Sequence, residues 1–279
     1  MLQFVTINAR RRTYWSLFAA ACLCLAAFVP LFSRIASDPD VPDFLQKAKA
    51  IGVFRIGGIG IFSYRLAAAA VGLCALYAAL ALGVVLFNFR KTVSTEIFFF
   101  AFWVLSVGLE VLRLALYGLV VDGASLSLQI LAAKALVFTR YAGYFSLFLS
   151  GLYAAGFHNE KIGTVVALCA AIAFALAAAM PIDTGAFSST LELKAGYFSL
   201  NLGLGIVASL VTIANFLYAA YATSEPSYRA AALGCTVFLA GHQLLISVWN
   251  PYLIVVGFVL LVAGSALFIS RLHSYYLWQ

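Results

Sequence analysis

Charge is what this sequence has least of. Only 10% of its 279 residues are Asp, Glu, Lys or Arg, while 65% are hydrophobic and the mean hydropathy is +1.03. Soluble domains are about a quarter charged. A chain this apolar needs lipid as its solvent, so an ordinary soluble domain is excluded. Histidine is nearly as scarce: of the three, His158 and His273 fall at the inner ends of apolar runs. Too few His and acidic ligands remain inside those runs for a zinc site or a bis-His haem. The patterns HExxH, GxSxG and GxxxxGK[ST] are missing, and Glu110 is the only acid within an apolar run, which leaves no paired carboxylates. The expectation is a protein without catalytic residues, metal or cofactor, and an intramembrane enzyme acting on lipid ranks third, behind the non-catalytic readings below. The five cysteines, Cys22, Cys24, Cys74, Cys169 and Cys235, all lie in apolar runs, where a thiol behaves as a small hydrophobe. No pair sits in a loop where a disulfide framework would be built, and Cys22 and Cys24, two apart on one helix, face different ways.

What the sequence does have is long apolar runs. Eight of them, at about 14–32, 66–87, 97–120, 127–153, 164–180, 198–221, 230–249 and 252–270, are each near the ~20 residues a helix needs to cross a bilayer. They predict an all-α fold: one transmembrane domain over 1–279, a polytopic bundle of about eight membrane-spanning helices. Arg10, Arg11 and Arg12 ahead of the first run resemble a signal peptide, but the run is long and no small-x-small cleavage site follows, so it reads as an uncleaved first helix.

Loop charge predicts orientation in the cell membrane, here an inner membrane. With the N-terminus inside, the inner segments carry eight basic residues against three acidic ones, and the outer segments six against six. Both termini are then cytoplasmic. Trp15 and Trp278 fall at the inner interface and Trp249 at the outer one. The net charge of +7 follows from this arrangement, and no nucleic-acid-binding motif is present. The one sizeable loop, 33–65, is extracytoplasmic. Within it Asp40-Val41-Pro42-Asp43 reads as the start of a short surface helix, and Gly57-Gly58 as a hairpin turn. Pro181-Ile182-Asp183-Thr184 reads as a helix stop followed by a short turn.

Ionisable groups inside the runs are the sharpest functional signal, since each costs about 2.5–3.5 kcal/mol at a helix centre on insertion scales. The third run carries Glu110 and Arg113, three apart and on one face; the fourth carries Lys134 and Arg140, about 120° apart on the helix. Counting rise per residue through a core of about 30 Å places Lys134 level with Glu110 and Arg140 about 10 Å deeper. This predicts a Glu110–Lys134 pair with Arg113 slightly further out. Arg140 is left to backbone carbonyls, Tyr144 or a bound anion, and His242 of the seventh run joins the layer with Gln243 beside it.

Two meanings compete for these residues. Glu110, Arg113 and Lys134 make a salt-bridged packing knot, or Glu110, Arg113, Lys134, Arg140 and His242 form a ligand-binding layer whose surplus of cations suits an anionic or polar ligand. The second favours a small transporter or transport-associated subunit. The alternative is a membrane-embedded sensor or assembly subunit that acts through a partner membrane protein. Membrane lipid surrounds the chain on either reading.

Overall fold

A computed structural model describes residues 2–37, 64–89, 94–157, 162–188, 190–247 and 251–277. The surface helix and hairpin expected within 33–65, together with Trp249 and Trp278, lie outside these residues.

The chain is an all-α bundle. In order, the elements are α1 (Leu2–Ser37), α2 (Tyr64–Asn88), α3 (Thr95–Gly108), a 3-10 turn (Leu109–Val111), α4 (Leu112–Val121), α5 (Leu126–Ala154), α6 (Ile162–Ala179), strands β1 (Ile182–Phe187) and β2 (Leu193–Ala195), α7 (Phe198–Thr223), α8 (Pro226–Ser247) and α9 (Pro251–Leu277). The turn joins α3 and α4 into one 27-residue apolar stretch, Thr95–Val121. Among the described residues seven helical stretches are long and apolar enough to cross a membrane, which makes this a polytopic membrane protein. Helices are the expected solution, because hydrocarbon offers no partner to a backbone N–H or C=O and an α-helix satisfies both internally.

Local chemistry sets where the helices start and stop. Ser94 caps α3 by accepting a hydrogen bond from the Ile97 amide at 3.2 Å. Pro226 and Pro251 occupy the first positions of α8 and α9, where a missing N–H costs nothing. Several helices outrun their apolar segments. Helix α1 continues back through Arg10–Arg12, since a charged residue at the interface does not end a helix.

Helices α2 and α3–α4 form the centre, with 72% of their most apolar windows buried, against 11% for α6 at the periphery. Helix α1 packs on α2, α5 on α3, and α7 and α6 on α5, while α8 and α9 form a close pair. An aromatic cluster joins α3 to this pair: Trp103 of α3 lies 4.5 Å from Phe238 of α8 between ring centroids, and Phe100 lies 4.9 Å from Phe268 of α9. The α8–α9 pair needs glycine. A Cβ on Gly241 would come within 2.4 Å of the Leu261 amide nitrogen, and one on Gly264 within 2.4 Å of that of Phe238.

The segment after α6 corrects one expectation. Pro181 does end the helix, but the chain then forms an antiparallel hairpin rather than a short turn, with Ile182 opposite Ala195 and Asp183 opposite Lys194. Two further contacts tie it: Gly196 donates to the Pro181 carbonyl at 2.9 Å and Ser188 to the Glu192 carbonyl at 2.7 Å. On the same side, Arg34 at the end of α1 forms an ion pair with Asp122, which follows α4.

Candidate functional site

The 3-10 turn carries Glu110 into the interior. A 3-10 segment inside a longer helix often marks a hinge or functional site. Here it follows Gly108, where a Cβ would stand 2.7 Å from that of Ala78, so the turn lies close against α2. Glu110 is 1% exposed and Arg113, on the first turn of α4, is 2% exposed.

Four charged groups meet at this point. Arg140 of α5 grips Glu110 through two parallel hydrogen bonds, Nε to Oε1 at 2.9 Å and Nη2 to Oε2 at 3.0 Å. The same Nη2 donates to Glu192 Oε2 at 2.6 Å. Arg113 Nε lies 2.6 Å from Glu110 Oε2 as an ion pair that is not aligned as a hydrogen bond, and 3.9 Å from Glu192 Oε2. Arg113 Nη1 donates to the carbonyls of Thr190, at 3.3 Å, and Ile246, at 3.4 Å, the latter in the last turn of α8 where carbonyls lack helical partners. Thr190 completes the shell by donating from its hydroxyl to Glu192 Oε1 at 2.9 Å.

Glu192 belongs to the hairpin, between β1 and β2 and outside the candidate membrane-spanning helices. Burial pushes its carboxyl pKa up, but the guanidiniums of Arg140 and Arg113 outweigh burial and hold it below the ordinary glutamate range. Exposure grades across the cluster: the side chains of Glu110 and Arg113 are 2% and 3% accessible, Arg140 is 14% and Glu192 is 24%. Glu192 is therefore the outward face of the site. A narrow void lies beside Glu110 and Arg113, lined also by Cys74 and Leu245.

Two expected placements are overturned. Lys134 does not pair with Glu110; its Nζ donates to the carbonyl of Ala178 at 2.6 Å, at the C-terminal end of α6. Arg140 is not without an acid at its level, since it holds both Glu110 and Glu192. The cause is helix geometry. Counted from the α4–α5 turn, Glu110 lies about 17 Å down, with Lys134 at about 12 Å and Arg140 at about 21 Å. Glu110 is thus nearly midway between the two cations, and helix rotation selects the partner. Lys134 and Arg140 point about 120° apart, so only one of them can face α3–α4. The 29-residue α5, about 44 Å long, also exceeds the ~30 Å core through which the depths were counted.

His242 does approach the layer. Its ring packs edge-on against Trp103 at 5.8 Å and lies within electrostatic reach of Glu110, and its Nε2 has no hydrogen-bond partner among the described residues. Gln243 points away, towards Ser247 at 3.5 Å. The residues that sequence reasoning missed are Glu192 and Thr190, counted only as loop. One signal was present: Leu191-Glu192-Leu193 sets an acid between two leucines in a short loop, and both leucines are buried.

These placements change the charge of the layer. With Lys134 tied elsewhere and Glu192 brought in, two guanidiniums face two carboxylates, and the surplus of cations becomes neutrality. All five cysteines are free, with Cys22 exposed and Cys24 buried as their spacing requires. Among the described residues no group of His, Cys, Asp and Glu is arranged to hold a metal ion. No protein-family model, curated protein or solved structure matches this chain.

Proposed function

We propose that this protein is a small transporter or transport-associated subunit of the cell membrane, and that Arg113 and Arg140 hold an anionic ligand within its polar layer. On this reading α5 is the eighth crossing and both termini are cytoplasmic. The observation that carries it is the origin of the four charges. Glu110, Arg113 and Arg140 stand on membrane helices and sum to one positive charge, whereas the balancing acid, Glu192, comes from the extramembrane hairpin. The buried positive charge needs a counterion in any role. A counterion lent by a segment outside the helices is one that a ligand can replace, which a carboxylate fixed on a neighbouring helix is not.

Purified protein tests this by thermal unfolding with and without a panel of anions, phospholipids and organic acids. An anion that binds the folded state raises the midpoint. The shift is expected to persist in Lys134→Ala and to vanish in Arg140→Lys, which keeps the charge but loses the two-pronged grip. Proteoliposomes are then assayed for uptake of that anion. If nothing shifts the wild type, the ligand reading fails and the sensor or assembly-subunit reading takes its place. Binding without uptake also favours that second reading.

A further inference from the structure

We infer that the ligand class is a monocarboxylate, for which Glu192 is a tethered stand-in. The inference rests on the proposal that Arg113 and Arg140 form an anion site, and it adds the chemistry of the anion and the event that admits it.

The two glutamates are not equivalent. Glu110 is three residues from Arg113 on the same span, almost fully buried, and gripped by both prongs of Arg140. It is a fixed counterion and cannot leave without unfolding the layer. Glu192 is the more exposed, reaches Arg140 through a single nitrogen, and receives its other hydrogen bond from Thr190 of its own hairpin. If Glu192 withdraws, Arg140 Nη2 loses its shorter partner and keeps only Glu110 Oε2, while Arg113 Nε stays on Glu110, so Arg140 is the guanidinium with bonding capacity to offer a newcomer. Arg140 is already fully engaged by two carboxylates, so a ligand reaches it by displacing one of them, and Glu192 is the more exposed of the two.

Charge and shape select the newcomer. The helices supply one net positive charge, which a monoanion neutralises and a phosphate or sulfate dianion overshoots. The position to be filled is held by a planar carboxylate, one oxygen of which accepts from Arg140 and lies 3.9 Å from Arg113 Nε while the other accepts from the Thr190 hydroxyl, so a second carboxylate fits it atom for atom. Neighbouring backbone points the same way. Leu191 adopts a left-handed conformation, with φ of 62°, that disfavours a leucine. Its complete burial, the bond from its amide to the Ser188 carbonyl and the ion pairs of Glu192 hold it there, so release of the carboxylate removes one of these restraints.

The test uses acetate, which matches the atoms that Glu192→Ala removes. Wild type and Glu192→Ala are titrated with acetate, chloride and sulfate at equal ionic strength, reading the thermal midpoint. Acetate is expected to restore the lowered midpoint of Glu192→Ala at a concentration at least tenfold below that which acts on wild type, with chloride and sulfate far weaker. In the wild type itself, hydrogen exchange over Ser188–Ala195 is expected to quicken with acetate and not with chloride, because the carboxylate displaces Glu192. This second measurement decides the matter alone if the variant does not fold. Decanoate in nanodiscs, compared with acetate, separates an acid drawn from the bilayer from one drawn from water; either is a carboxylate. The inference is overturned if chloride or sulfate restores the variant as well as acetate does, or if acetate leaves the wild-type hairpin unchanged. A response to sulfate or phosphate that Arg140→Lys abolishes, with acetate silent, overturns the carboxylate and leaves the anion site standing. Silence of every anion overturns both.

Discussion

Arg140 and Lys134 stand six residues apart on one helix, and their substitutions are expected to differ sharply. Removing Arg140 leaves Glu110 buried with only Arg113 beside it, and breaking a buried pair from one side typically costs about 3–5 kcal/mol. Arg140→Ala should lower the unfolding free energy of the purified protein by about that much. Lys134→Ala removes one hydrogen bond to a carbonyl at the end of α6, a partly solvated contact worth under about 1 kcal/mol. Equal effects would mean that the ion pairs do not hold the layer together. Glu192 adds a pH dependence. Its carboxyl pKa is lower in the folded protein than in the unfolded chain, so its contribution is full above the ordinary value of about 4.3 and is lost as pH falls through the folded value. The midpoint difference between wild type and Glu192→Gln should therefore be steady near neutral pH and shrink on acidification below that value. A difference that grew on acidification would contradict the geometry.

At the scale of elements, the α8–α9 pair is held by backbone contact that leaves no room for a side chain. Gly264→Val would drive a branched side chain into the backbone at Phe238 and push the helices apart, and overpacking of this kind costs about 1–3 kcal/mol or more. The expected result is a lowered thermal midpoint, with a displaced Trp103–Phe238 contact read by tryptophan fluorescence. His242 rides on α8, so the same variant should disturb the polar layer without touching any of its charges. The hairpin acts differently. It brings Glu192 to the helices from outside the candidate spans and joins the hairpin to a site about 17 Å from the α4–α5 turn.

Across the whole molecule, the proposed eight crossings make a topological prediction. In a cysteine-free background, Ser125→Cys and Asp183→Cys should react with a membrane-impermeant thiol reagent from one face, and Ala222→Cys from the other. The Arg34–Asp122 pair already places the end of α1 beside the α4–α5 turn. If Ser125 and Asp183 label from opposite faces, α5 and α6 do not cross as a pair and the proposed topology fails. The sequence by itself determined the solvent, the helical architecture and the existence of buried charge. Hydropathy summed over about 20 residues is a local property, and a lysine or glutamate within an apolar run is plain wherever the run packs. It did not determine which charges meet. Partner choice depends on rotation, which changes by about 100° per residue, and on depth, where Lys134 and Arg140 bracket Glu110 almost evenly. Only the packing of α5 on α3 selected Arg140, and only the hairpin fold brought Glu192 into the layer and made it neutral. A residue counted as loop charge thus became the outward face of the site, because its position is set by contacts distant in the chain rather than by its neighbours.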